Sequence, residues 1–117
     1  MALEGTLEAD VSTDGRGSKT VQFTFDVTNT GTATVELRFS DAAKAEFIVE
    51  DERREVWRYT EGRAFTQLLS AEQIAPGETA TYEAEWERPR DGEYTAVAEL
   101  RAQEATCDAR TSFSVTD

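Results

Sequence analysis

The sequence predicts an all-β domain, an immunoglobulin-like antiparallel β-sandwich of about 7–9 strands. Three observations predict it. Short runs of strict apolar–polar alternation recur along the chain, as in "TVQFTFDVTN", and period two marks a half-buried strand. Turn-forming clusters such as "TDGRGSK", "APGE" and "RPRDG" fall between those runs. Finally, "DGEYTA" sets Tyr94 just after an Asp-Gly corner and two residues before a small residue, Ala96. In immunoglobulin-like sandwiches a tyrosine so placed turns its hydroxyl back onto the backbone of the corner, with a cysteine where Ala96 stands. The alanine fits a domain without a disulfide between its sheets.

The elements follow in order. "LEGTLEADVS" opens as a strand, and "TDGRGSK" (13–19) turns it into the next. There Val21, Phe23, Phe25 and Val27 share one face, and Gln22, Thr24, Asp26 and Thr28 the other. "NTG" (29–31) ends that strand. "TVELRF" (Val35, Leu37, Phe39) and "EFIVE" (Phe47, Val49) repeat the alternation, with "SDAAKAE" (40–46) reading as a helical turn. "EDER" (50–53) is a charged hairpin turn into the strand "EVWRY", and "LLSAEQ" (68–73) reads as a second helical turn. "APGE" (75–78) puts Pro and then Gly at the centre of a type II turn, where glycine alone takes positive φ freely. "ATYEAEW" (Ala80, Tyr82, Ala84, Trp86) leads through the corner "RPRDG" (88–92) to "YTAVAEL" (Tyr94, Ala96, Ala98, Leu100). "TSFSV" closes the series with Phe113 and Val115.

A chain of 117 residues is expected to form one domain, 1–117. It buries roughly two-thirds of its unfolded surface and needs neither disulfide nor metal to fold. The single cysteine, Cys107, has no internal partner, and there is no histidine. Those absences argue against histidine-based catalysis and the usual zinc sites, and favour a half-buried or inert thiol at Cys107 over a lone nucleophile that no histidine activates. The start "MALEGTLEAD" lacks the basic and apolar regions of a signal peptide, and no run approaches the roughly 18–20 apolar residues of a membrane span. A cytoplasmic location is expected. The net charge of −12, from 24 acidic and 12 basic residues, repels nucleic acid and anionic lipid, so neither is an expected partner. Only Lys19 and Lys44 are lysines, the other basic residues being arginines. High Asp/Glu with little Lys points to a protein working in concentrated salt, where a Debye length of about 3 Å at ~1 M quiets carboxylate repulsion.

The residues offer little to catalysis. Glu83, Glu85 and Glu87 alternate with Tyr82, Ala84 and Trp86, as a solvated strand face does. Asp14 with Gly15 and Gly17 comes nearest to a calcium loop but lacks the alternating oxygen ligands. No glycine-rich loop leads into a helix to cradle phosphate, and without histidine the serines have no triad. The expectation is a protein that binds rather than catalyses, with no catalytic residue, cofactor or metal.

The order of features carries a resemblance. Asn29–Thr30, Phe39–Ser40, Phe47–Val49, Trp57–Thr60, Phe65–Gln67, Pro76–Thr79, Tyr82–Trp86 and Gly92–Tyr94 follow one another as the matching pieces do in the intracellular proteinase inhibitor (BsuPI-type) family. The chain resembles that family over residues 20–102. It departs where the family has a glycine and then an aspartate before the Phe-Val strand and this chain has "DAAKAEF". The resemblance implies an immunoglobulin-like sandwich and inhibition of serine (subtilisin-like) proteases through protein–protein binding.

One stretch, "VWRYTEGRAFTQ" (56–67), sets Trp57, Tyr59 and Phe65 around a charged, glycine-containing turn. The aromatics suit a crossover between sheets, packed on the core. Within "RYTEGRAFT" (58–66), Arg58, Thr60, Glu61, Gly62, Arg63 and Ala64 are the candidate partner-binding residues, with Arg58 or Arg63 suited to a basic-preferring protease pocket. The alternative is an immunoglobulin-like interaction or accessory module without a protease target, meeting its partner through an exposed strand edge or an acidic face. The sequence leaves both open, together with the oligomeric state.

Overall fold

A computed structural model of the chain describes residues 3–65, 67, 69–103 and 105–116. Among these, nine strands form: β1 (Leu3–Thr13), β2 (Lys19–Asn29), β3 (Val35–Phe39), β4 (Ala45–Asp51), β5 (Arg54–Arg58), β6 (Ser70–Ile74), β7 (Thr79–Glu87), β8 (Gly92–Leu100) and β9 (Asp108–Val115). One sheet has the order β1-β2-β7, the second β5-β4-β8-β9, and β3 pairs with β6 at the side. Every pairing is antiparallel. The architecture is the all-β, immunoglobulin-like sandwich that the alternation predicts.

The core sits where the apolar faces of the two sheets meet. Val21, Phe23, Phe25 and Val27 of β2 are completely buried, and Phe47 and Val49 of β4 face them with Ala96 and Ala98 of β8. Phe47 stacks on Phe23 at 6.2 Å between centroids and meets Phe25 edge-on at 6.4 Å. Each such side chain contributes about 1.5–3 kcal/mol by leaving water. At one flank β1 approaches the start of β9 so closely that a Cβ on Gly5 would lie 2.8 Å from the Asp108 carbonyl and 2.9 Å from Cys107 Sγ. Only a residue without a side chain fits there.

The turns carry the predicted chemistry. The hydroxyl of Tyr94 donates to the carbonyl of Arg90 at 2.6 Å, closing the corner before β8. Gly77 has φ +82°, and Glu78 N–H donates to Ala75 O at 2.9 Å across the Pro-Gly turn. Asn29, fully buried, donates from its amide to the carbonyls of Ala33 and Ile74 and accepts from Gly31 N–H. It thereby ties the end of β2 to β6.

Two expectations are corrected. Neither 40–46 nor the described part of 68–73 is helical; Leu68 lies outside the described residues. Asp41 instead accepts from the Ala43 backbone in a bend, and Ala43 and Ala45 are buried. Residues 70–74 form β6, paired with β3 from Val35↔Ile74 to Phe39↔Ser70. That strand escapes its pattern because Glu72, not an apolar residue, takes an inward position, where its carboxylate binds Lys44 and the Tyr82 hydroxyl.

Candidate functional site

The stretch 56–65 leaves the edge of the second sheet and folds back over it. Among the described residues β5 pairs only with β4, and Tyr59 N–H extends that ladder by donating to Phe47 O at 2.9 Å. Two tight turns follow, with Glu61 N–H donating to Arg58 O and Arg63 N–H to Thr60 O. Gly62 supplies the required positive φ of +75°.

Beneath this loop the aromatic side chains form a layer. Trp57 stacks between Phe23 (5.8 Å) and Trp86 (6.1 Å), and Tyr59 touches Phe47 (5.8 Å) and Phe65 (5.7 Å). Trp57 and Tyr59 are half-buried and packed on the core. The Arg63 guanidinium lies 4.8 Å from the centre of the Tyr59 ring, a cation–π contact that holds the charge close to the surface.

The other brace is Glu46, which nothing in the sequence pattern singles out. It falls on the outward face of β4 yet is only 7% exposed, because the loop covers it. Its carboxylate accepts from the Phe47 and Thr60 N–H groups (3.1 and 3.2 Å), from the Thr60 hydroxyl and from Arg58 Nη1 (3.3 Å). Arg58 also binds Glu55 at 2.7 Å, and that hydrogen bond raises the guanidinium pKa and lowers that of Glu55.

The candidate residues thus divide. Arg58 and Thr60 are held by Glu46, whereas Glu61, Gly62, Arg63 and Ala64 are exposed. Thr66, in the same stretch, lies outside the described residues. The tip presents one carboxylate, one guanidinium and two small residues to solvent on a braced backbone. Among the described residues no group of three or more His, Cys, Asp or Glu side chains is placed to hold a metal ion. Glu83, Glu85 and Glu87 are exposed on β7 as the alternation predicts. Cys107 is a free, half-buried thiol whose pKa is raised by burial and then by Asp108. Among the described residues no helix is long and apolar enough to cross a membrane.

The sequence profile of a family described as "BsuPI: Intracellular proteinase inhibitor" matches residues 4–105. No curated protein sequence matches the chain. Among solved structures it is similar to the crystal structure of Spo0M, a sporulation control protein from Bacillus subtilis, with a TM-score of 0.47 and 15% identity. The similarity covers 95% of this chain and 48% of that one, so the chain spans about half the length of that protein.

Proposed function

The chain belongs to the intracellular proteinase inhibitor (BsuPI) family, and on that footing we propose that it inhibits a serine protease of the subtilisin type by non-covalent binding. The observation that carries the reading is the braced loop. Glu46 fixes Arg58 and Thr60 from below, and the Tyr59 ring fixes Arg63, leaving Glu61 to Ala64 presented to a partner. A tip held in one conformation loses little freedom on binding, so more of its contact energy appears as affinity. Arg63 is the side chain suited to a specificity pocket, and Arg58 and Thr60 serve as its support. Burying about 800 Å² per partner takes more than four residues, so the contact extends over the neighbouring surface.

The same reading makes the protein a cytoplasmic one, working as a single domain in concentrated salt, and places its activity in binding with no chemistry of its own. The test is an inhibition assay against a panel of subtilisin-like proteases at high salt. Inhibition by the native protein that is lost in Arg63→Glu, with an unchanged circular dichroism spectrum, supports the loop. Steady cleavage of the protein as a substrate, without inhibition, overturns the reading.

A further inference from the structure

β7 ends its sheet, and among the described residues no strand pairs with its outer edge. The main-chain bonds at its two ends show which backbone groups that edge exposes. Arg88 N–H donates to Lys19 O, and Asn29 N–H donates to Glu78 O, both at 3.0 Å. The register between them is unbroken, Thr20↔Glu87 through Thr28↔Thr79. Antiparallel bonding alternates, so the even-numbered residues of β7 bond to β2. The N–H and C=O groups of Thr79, Thr81, Glu83, Glu85 and Glu87 therefore point away from the sheet.

Beyond the outer edge of β7, Tyr59 and Arg63 border hollows alongside Glu83, Ala84, Glu85 and Glu87. The two hollows, of about 450 and 480 Å³, are both lined by Tyr59 and Glu83. Their inner walls carry Ala84 and Phe47. The outer face carries the carboxylates of Glu83, Glu85 and Glu87 at alternate positions, about 7 Å apart along the strand. The cations that line the hollows are Lys44, paired with Glu72, and Arg63, held over Tyr59.

We propose that the β7 edge is a docking site for an extended polypeptide segment that adds to the sheet as an antiparallel strand, with Arg or Lys at every second position and small apolar residues between. Strand addition takes its affinity from the exposed main-chain groups and its selectivity from alternate side chains. Cross-strand neighbours share a face, so cations at alternate positions stand opposite Glu83, Glu85 and Glu87. The residues between them turn toward Ala84 and the Tyr59 side of the hollows. Charge complementarity decides the occupant. A second copy of this chain, of net charge −12, would bring its own glutamates against these three. The proposal goes beyond the inhibitor reading and does not require a protease.

Its test uses the native protein and the capped peptide Arg-Val-Arg-Val-Arg-Val-Arg, read by fluorescence anisotropy at low salt. In the proposed register the arginines, opposite the outward-bonding glutamates, give their own N–H groups to β7. N-methylation of the arginine nitrogens should weaken binding about tenfold or more, whereas N-methylation of the valine nitrogens leaves it within about threefold. The two methylated peptides carry the same charge. Glu85→Lys with Glu87→Lys, both exposed, should also weaken binding about tenfold or more while the fold persists. Equal affinity of the two methylated peptides would mean charge attraction alone and overturns the proposal, as does failure of the unmodified peptide to bind.

Discussion

Trp57 of β5 and Trp86 of β7 stack across the sandwich, their rings 6.1 Å apart and 28° from parallel. They come from edge strands of different sheets, so this contact joins a flank that, among the described residues, no strand pairing spans. Trp57 also lies on Phe23, and Trp86 meets Tyr94 edge-on at 5.1 Å.

Both indoles are half-buried, which places Trp57→Ala and Trp86→Ala at the low end of aromatic truncations, about 3 kcal/mol each. A double-mutant cycle should give a coupling of about 0.5–1.5 kcal/mol for the stacked pair. Urea unfolding of the two single variants and the double variant measures it; strict additivity would deny that the pair joins the sheets.

Two tyrosines set an alkaline limit. The pKa of Tyr82 is raised far above its ordinary value by burial, and then by Glu72, which accepts its hydroxyl proton. That of Tyr94 is raised first by burial and then by Asp51. In the unfolded chain each phenol titrates near 10. Above that pH the unfolded state releases protons that the folded state keeps, so the unfolded state binds fewer and stability falls as pH rises. Stability should be level up to about pH 9 and decline beyond 10. Unfolding of the native protein and of Tyr82→Phe from pH 8 to 11 checks this, with the shallower decline in the variant.

Much of this fold was legible because alternation reports burial directly. Phe23 and Phe25 are inward by period alone, and Tyr94 by its corner. β6 was not, because its inward Glu72 is satisfied by Lys44 and Tyr82, partners distant in sequence. Trp57 and Tyr59 of the candidate loop were legible as packed on the core by the alternation in "EVWRY". Glu46 was not, since periodicity puts it on the solvent face, and it is buried only by residues 58–60 folding across it. Charge patterns show which residues are available to solvent; they do not show which loop returns to cover them.

Glu46 therefore separates the brace from the tip. Glu46→Gln replaces one acceptor oxygen with a donor facing other donors, and should cost about 1–3 kcal/mol. Amide exchange at Thr60 should accelerate, and any inhibition constant should rise even though residue 46 is covered. Arg63→Ala should change stability by no more than about 0.5 kcal/mol, as exposed substitutions do. A Glu46→Gln variant with unaltered exchange at Thr60 would remove the carboxylate from the loop's support.

The surface charge predicts a salt response. With a net charge of −12, carboxylates repel across distances of about 10 Å at ~0.1 M salt and much less at ~1 M. The melting temperature should rise between 0.1 M and about 3 M sodium chloride, most steeply at the low end where screening changes fastest. A melting temperature that does not move would count against adaptation to concentrated salt.

The β4–β5 hairpin turns at Glu52 and Arg53, with φ of +49° and +70°. Asp51 pairs with Arg54 around them, so this is a two-residue loop with both central residues left-handed. That geometry matches the twist of the flanking strands but favours Asn and Gly; side chains such as these cost roughly 1–2 kcal/mol apiece in the left-handed region. Both residues are exposed, so replacing them removes no buried contact. Glu52→Asn with Arg53→Gly should stabilise the domain by about 1–2 kcal/mol, less than the summed strain because glycine also adds freedom to the unfolded chain. Chemical denaturation measures the gain. A net loss would mean that the two charged side chains stabilise the hairpin by more than their backbone strain costs.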